Sequence, residues 1–127
     1  MKIRVMACAV LMIGIAVGVN AQQGRSSREI LQRSAASVDG REIVTAVHIC
    51  RGSVSEASHT HPGDLSGYVL EGTLTLVRQG IPDLTLTAGQ TFFVAAGIRH
   101  HMVSAGDARL VATYFVEKDK PLAVGAN

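Results

Sequence analysis

From Arg41 onward the chain alternates. Ile43, Thr45, Val47 and Ile49 interleave with Val44, Ala46, His48 and Cys50. This is the two-residue period of a strand, whose successive side chains leave by opposite faces. Short β-rich runs follow at Gly67–Leu70, Thr73–Arg78, Leu84–Thr87, Thr91–Val94, His100–Val103 and Arg109–Val116. Turn-forming clusters separate them: Arg51-Gly52-Ser53, Pro62-Gly63-Asp64, Glu71-Gly72, Gln79-Gly80 with Pro82-Asp83, Ala88-Gly89, Gly97 and Ala105-Gly106-Asp107. No run past Arg41 is long enough and helix-periodic enough to force a helix. Many short strands at regular spacing predict an all-β sandwich or barrel.

The flanks read differently. Met1–Arg4 carries Lys2 and Arg4, Val5–Val19 holds no charge, and Val19-Asn20-Ala21 has small residues at its outer positions. Basic, apolar, small is the order of a secretory signal peptide, and the apolar run is short of the roughly 20 residues that span a bilayer. The expected mature chain starts at Gln22, is secreted or periplasmic, and keeps no stable membrane anchor after cleavage. Gln22–Ser37 is polar, with a weak helical patch around Ile30 and Leu31, and reads as an N-terminal arm or short helix. The stretch from Glu117 to Asn127 reads as a surface extension. The 127 residues therefore divide into a removed leader (1–21), an arm (22–37), one barrel domain (38–122) and a tail (123–127).

Charge adds one exclusion. The formal net charge of +2 rests on Lys2 and Arg4 of the leader, so the rest of the chain is balanced. A basic surface for phosphates is not expected, and with no Trp and 4% aromatic residues neither is a base-stacking platform. Nucleic acid is therefore not an expected partner. Hydrophobic content of 47% against 17% charged residues excludes disorder. Of the two cysteines, Cys8 leaves with the leader and Cys50 stays alone in an apolar alternating run. Burial is the expected state of that thiol.

The chemistry concentrates in histidine. His59 and His61 form an H-x-H pair, which a strand projects from one face. Two imidazoles then converge as metal ligation requires. His100 and His101 lie near the start of a later strand, and alternation lets only one of them join the pair. The competing reading is a set of surface or hydrogen-bonded turn histidines.

Two segments resemble a known family. His59-Thr60-His61-Pro62-Gly63-Asp64-Leu65-Ser66-Gly67-Tyr68-Val69-Leu70-Glu71-Gly72 is similar to the first cupin motif, and Ala88-Gly89-Gln90-Thr91-Phe92-Phe93-Val94-Ala95-Ala96-Gly97-Ile98-Arg99-His100 to the second. His59, His61, Gly72, Gly89, Gly97 and His100 match in register. The resemblance covers roughly Val38 to Leu122. It implies a single-domain jelly-roll β-barrel of the small bacterial type. It also implies a divalent metal held by His59, His61 and His100, a small-molecule ligand or substrate, and a homodimer by family analogy alone. His101 is then expected to point out of the barrel.

Ser53, Ala95 and Ser104 replace a glycine, a proline and an asparagine of the family pattern, which are changes of loop shape. Leu65 replaces the family glutamate, which is a change of chemistry. The usual fourth protein ligand is missing, and neighbouring Asp64 should face away by alternation. Imidazole suits Fe, Zn, Ni and Cu, whereas loss of the carboxylate weakens the case for Mn. Three functions stay open. One is an exported metal-binding cupin acting on a small molecule, with a dioxygenase as the most natural reaction. The second is a non-catalytic ligand-binding cupin with a degenerate metal site. The third is a structural or interaction protein whose His cluster is a relic. No catalytic acid–base pair stands out. His48 and Cys50 share a strand face and could approach the site, Arg99 and His101 could meet an anion at its mouth, and Tyr68, Phe92 and Phe93 read as barrel packing.

Overall fold

The computed structural model describes residues 24–125, so the leader and the expected start at Gln22 lie outside the described residues. The strands are β1 (Arg25–Ala35), β2 (Arg41–Arg51), β3 (Val54–Ser55), β4 (His59–Thr60), β5 (Gly63–Glu71), β6 (Thr73–Arg78), β7 (Ile81–Thr87), β8 (Thr91–Val94), β9 (His100–Ser104), β10 (Ala108–Glu117) and β11 (Val124–Gly125). They form two antiparallel sheets, β1-β2-β10-β5-β8 and β11-β4-β9-β6-β7, with β3 also paired to β9. No helix among the described residues is long and apolar enough to cross a membrane.

Alternation decides what lies between the sheets. Val44, Ala46 and Cys50 of β2 face inward opposite Tyr114, Ala112 and Ala108 of β10. Leu65 and Val69 of β5 and Leu74 and Leu76 of β6 close the core, each 5% exposed or less. Each such burial removes enough apolar surface from water to contribute about 1.5–3 kcal/mol. On β5 the inward parity also selects Gly67. A Cβ there would stand 2.1 Å from the Phe92 ring, which lies across the glycine. Tyr68 and Phe93 have the opposite parity and are exposed, so of the three aromatics expected to pack the barrel only Phe92 does so.

Three local expectations change. The segment expected as an arm or short helix is β1, extended and paired with β2 along nearly its whole length. Leu31 is a bulge between the pairs Ile30↔Ala46 and Gln32↔Thr45, and Ile30 and Leu31 both stay exposed. A ladder to β2 satisfies more backbone groups than one weakly amphipathic turn of helix could. The bulge reverses the parity of β1. Arg28, before it, pairs with inward-facing His48, whereas Arg33, after it, pairs with inward-facing Val44 and forms an ion pair with buried Glu42. Pro82 and Asp83, expected in a turn, lie in β7 at the edge of its sheet, where a missing N–H costs no ladder bond. Finally, the tail is not only a surface extension. Leu122 is buried, and β11 pairs with β4.

Candidate metal centre

His59 and His100 are direct cross-strand partners of β4 and β9, and His61 follows one residue beyond β4. The three ring centroids stand 4.5–4.9 Å apart. One ligand atom from each ring lies within 4.8 Å of the others. His61 and His100 are buried, and His59 is half-buried on the open side. His101 has the opposite parity on β9 and lines neither the site nor its approach.

Each ring is oriented by the backbone. His59 Nδ1 donates to the Ala57 carbonyl at 2.8 Å, His61 Nδ1 to the Leu122 carbonyl at 2.6 Å, and His100 Nδ1 to the Ile98 carbonyl at 2.8 Å. A carbonyl only accepts, so each Nδ1 carries the hydrogen and Nε2 is the ring atom left to act as a ligand. The set thus offers three imidazole Nε2 atoms with their outer partners in place, as histidine ligation of a divalent ion requires. Burial, reinforced by the neighbouring rings and opposed by the Leu122 bond, pushes His61 down to about 4. Burial lowers His100 as well. Both rings are therefore uncharged at neutral pH, which is the ligating form.

Leu65 occupies the site wall as expected from its register. It is 5% exposed, pairs with Tyr114 and Val94, and lines the chamber beside the histidines. Asp64 faces out, where its Oδ1 accepts the Ala96 N–H at 3.0 Å. Neither residue brings a carboxylate to the imidazoles.

The approach has two compartments. An inner chamber of about 30 Å³, room for a water-sized group, lies among the three histidines, Leu65, Phe92 and Tyr114. An outer vestibule of about 400 Å³ is lined by Ser26, Arg28, Ser55 and Ala57. His48, Glu56, His59 and His61 line both. His48 Nε2 and the Tyr114 hydroxyl share a 2.7 Å hydrogen bond. Burial, with repulsion from Arg28, pushes His48 down to about 4, and burial pushes Tyr114 up to about 12. Cys50 also lines the chamber, but burial raises its thiol, so it packs rather than reacts. Glu56 is held by Met102, whose N–H donates to Oε2 at 3.2 Å.

The shared strand face of His48 and Cys50 allows both to approach the site or to be an edge-facing His and a packed thiol, and both line the chamber. Sequence reading put Arg99 and His101 at the mouth, and neither lines it. The cation there is Arg28, which nothing short of the β1–β2 register would have revealed. Tyr114 and Glu56 were also missed. The parity of Arg109–Val116 could have suggested Tyr114, whereas Glu56 sits in an irregular link with no periodic signal.

Two antiparallel sheets closed over a pocket of three imidazoles define a jelly-roll protein built around a metal-type histidine site. The cupin domain family matches residues 46–116, and the chain belongs to that family. No curated protein sequence matches it. Among solved structures it is similar to a double-stranded β-helix protein from Klebsiella pneumoniae, with TM-score 0.66 and 18% identity over 80% of this chain and 84% of that one. It is also similar to the DMSP lyase DddQ from Ruegeria pomeroyi, with TM-score 0.68 and 16% identity over 80% of this chain and 52% of that one. An oxalate oxidase in complex with glycolate matches with TM-score 0.64 and 20% identity over 80% of this chain and 55% of that one.

Proposed function

We propose that the protein binds one divalent metal ion through the Nε2 atoms of His59, His61 and His100 and acts as an enzyme on a small molecule. The observation that carries this reading is the preset tautomer. All three Nδ1–H groups are spent on backbone carbonyls, which leaves Nε2 of each clustered ring for an ion. A metal bound there would polarise a substrate oxygen or activate water or dioxygen, since no carboxylate takes its fourth position. Three imidazoles favour Fe, Zn, Ni or Cu over Mn. The chain's own residues do the rest. Leu65, Phe92 and Met102 keep the inner chamber apolar, and the vestibule receives the substrate. The His48–Tyr114 pair presents a hydrogen-bonding group at the junction of the two compartments.

With iron, a dioxygenase is the reaction class we propose. The similar structures include proteins named as a lyase and as an oxidase, so the fold admits more than one reaction and the site must decide. Ligand binding without turnover is the second reading, and Leu65 in place of a carboxylate favours it. We also propose that the protein is exported and works in the periplasm or outside the cell, on the strength of the leader pattern. Titration of metal-free protein with Zn and Fe(II), beside His61→Ala, tests the metal site. One equivalent bound by the wild type and none by the variant is expected. Oxygen-uptake screening of the iron form then separates turnover from binding alone.

A further inference from the structure

Arg28 lies on β1 directly opposite His48 of β2. Direct cross-strand partners share a face, and His48 faces the chamber. Arg28 therefore points toward the mouth of the site, and it lines the vestibule. Among the described residues, Arg33, Arg51 and Arg109 each pair with a carboxylate, and Arg28 has no such partner. Its guanidinium lies at the inner end of the vestibule, near enough to Tyr114 to be a hydrogen-bond partner of that hydroxyl. A guanidinium with no carboxylate partner among the described residues, lining a vestibule of about 400 Å³, is a two-pronged donor for one planar anion. Glu56 comes from the other sheet's side of the same vestibule, between β3 and β4. A second carboxylate on the ligand would meet that charge.

We propose that Arg28 anchors the substrate by its carboxylate. The ligand class is a small monocarboxylate whose anionic end pairs with Arg28 and whose other end reaches toward His59, His61 and His100. This rests on the metal-site reading for what the far end meets, but the anchor itself is a property of β1 and the vestibule. Specificity then comes from a strand outside the family match, which begins at residue 46.

Hexanoate and hexanamide are the probes, being nearly equal in size and different in charge. Calorimetric titration of the full protein loaded with Co(II) gives the ratio of the two affinities. Hexanoate should bind the wild type at least about tenfold more tightly, because a charge-assisted pair is lost in the amide. Arg28→Gln should lower that ratio about tenfold while leaving Co(II) affinity unchanged, Arg28→Lys should fall between, and Arg25→Gln, off the vestibule, should match the wild type. Arg28 is exposed on the strand, so these variants fold. An unchanged ratio in Arg28→Gln overturns the anchor and leaves the metal reading standing. If the wild type takes up no Co(II), the metal reading fails instead. The same ratio measured on metal-free protein, with and without Arg28→Gln, then decides the anchor.

Discussion

The carbonyl of Leu122 accepts the Nδ1–H of His61 at 2.6 Å, across 61 residues of chain. A residue at the end of the barrel thereby sets the tautomer and the angle of a candidate ligand in its first motif. Leu122 is itself buried, and the short β4–β11 pairing just beyond it holds the carbonyl in place. Deleting Leu122–Asn127 removes β11 and a buried leucine; the remaining strands should stay paired, and metal binding should weaken by about 10–100-fold, the usual effect of losing such an outer partner. Competition against a chelator for Zn measures this. An unchanged affinity would show that the tail does not orient His61.

Leu65 tests the missing carboxylate. Leu65→Glu should place a fourth donor beside the imidazoles and shift preference from Zn toward Mn. Leu65→Ala should leave metal affinity nearly unchanged and cost about 2–5 kcal/mol of stability for the cavity it opens. Parallel Mn and Zn titrations, with urea unfolding of both variants, give the comparison. A Leu65→Glu protein with wild-type affinities for both metals would place position 65 out of reach of the ion.

Acid should destabilise the metal-free protein in a defined window. His48 and His61 sit at about 4 when folded, against an ordinary value of 6.5. Between those values the unfolded chain binds protons that the folded chain refuses, so stability rises with pH there. The contribution is complete above 6.5, declines as pH falls, and is gone below about 4. Urea unfolding at pH 7.5, 6 and 5 should show the decline, and His48→Gln should flatten part of it. Equal slopes in the variant and the wild type would mean that His48 titrates normally.

The Arg33–Glu42 pair offers a test of the β1 bulge. Glu42 is 5% exposed, and Arg33 is its ion-pair partner only because Leu31 reverses the strand's parity. Arg33→Ala should cost about 1–3 kcal/mol by leaving a buried carboxylate without its partner. Adding Glu42→Gln should recover part of that loss in thermal unfolding. A double variant no more stable than Arg33→Ala would separate the bulge from this ion pair.

Protein exported by its native host should begin at Gln22, since the basic, apolar and small segments end at Ala21. Intact-mass measurement decides it, and a mass that retains Met1–Ala21 would count against export by cleavage.

Wherever one face of a strand is buried and the other is not, the sequence carries the structure. Thr73–Arg78 and Thr91–Val94 have the same bounds as expectation and as β6 and β8. The alternation over Ile43–Cys50 announces a strand, and the expected burial of Cys50 holds, with Val44 and Ala46 buried on the same face. The i, i+2 spacing of His59 and His61, with the motif register of His100, brought together the three rings that meet. Parity also turned His101 and Asp64 away. Those facts are local because a strand's period is local.

What the tertiary structure decided has no local period to read. β1 is exposed along almost its whole length and owes its strand to the ladder with β2, so local propensity alone reads it as an arm or short helix. Its bulge then chose which arginine looks into the vestibule and which pairs with Glu42. The tail reached the site through a backbone carbonyl, a group every residue owns and no side chain announces. Glu56 and Tyr114 entered from elements whose approach to the histidines depends on how the two sheets close. Register and closure are relations between distant segments, fixed by burial and backbone pairing across the whole barrel, and only the folded chain contains them.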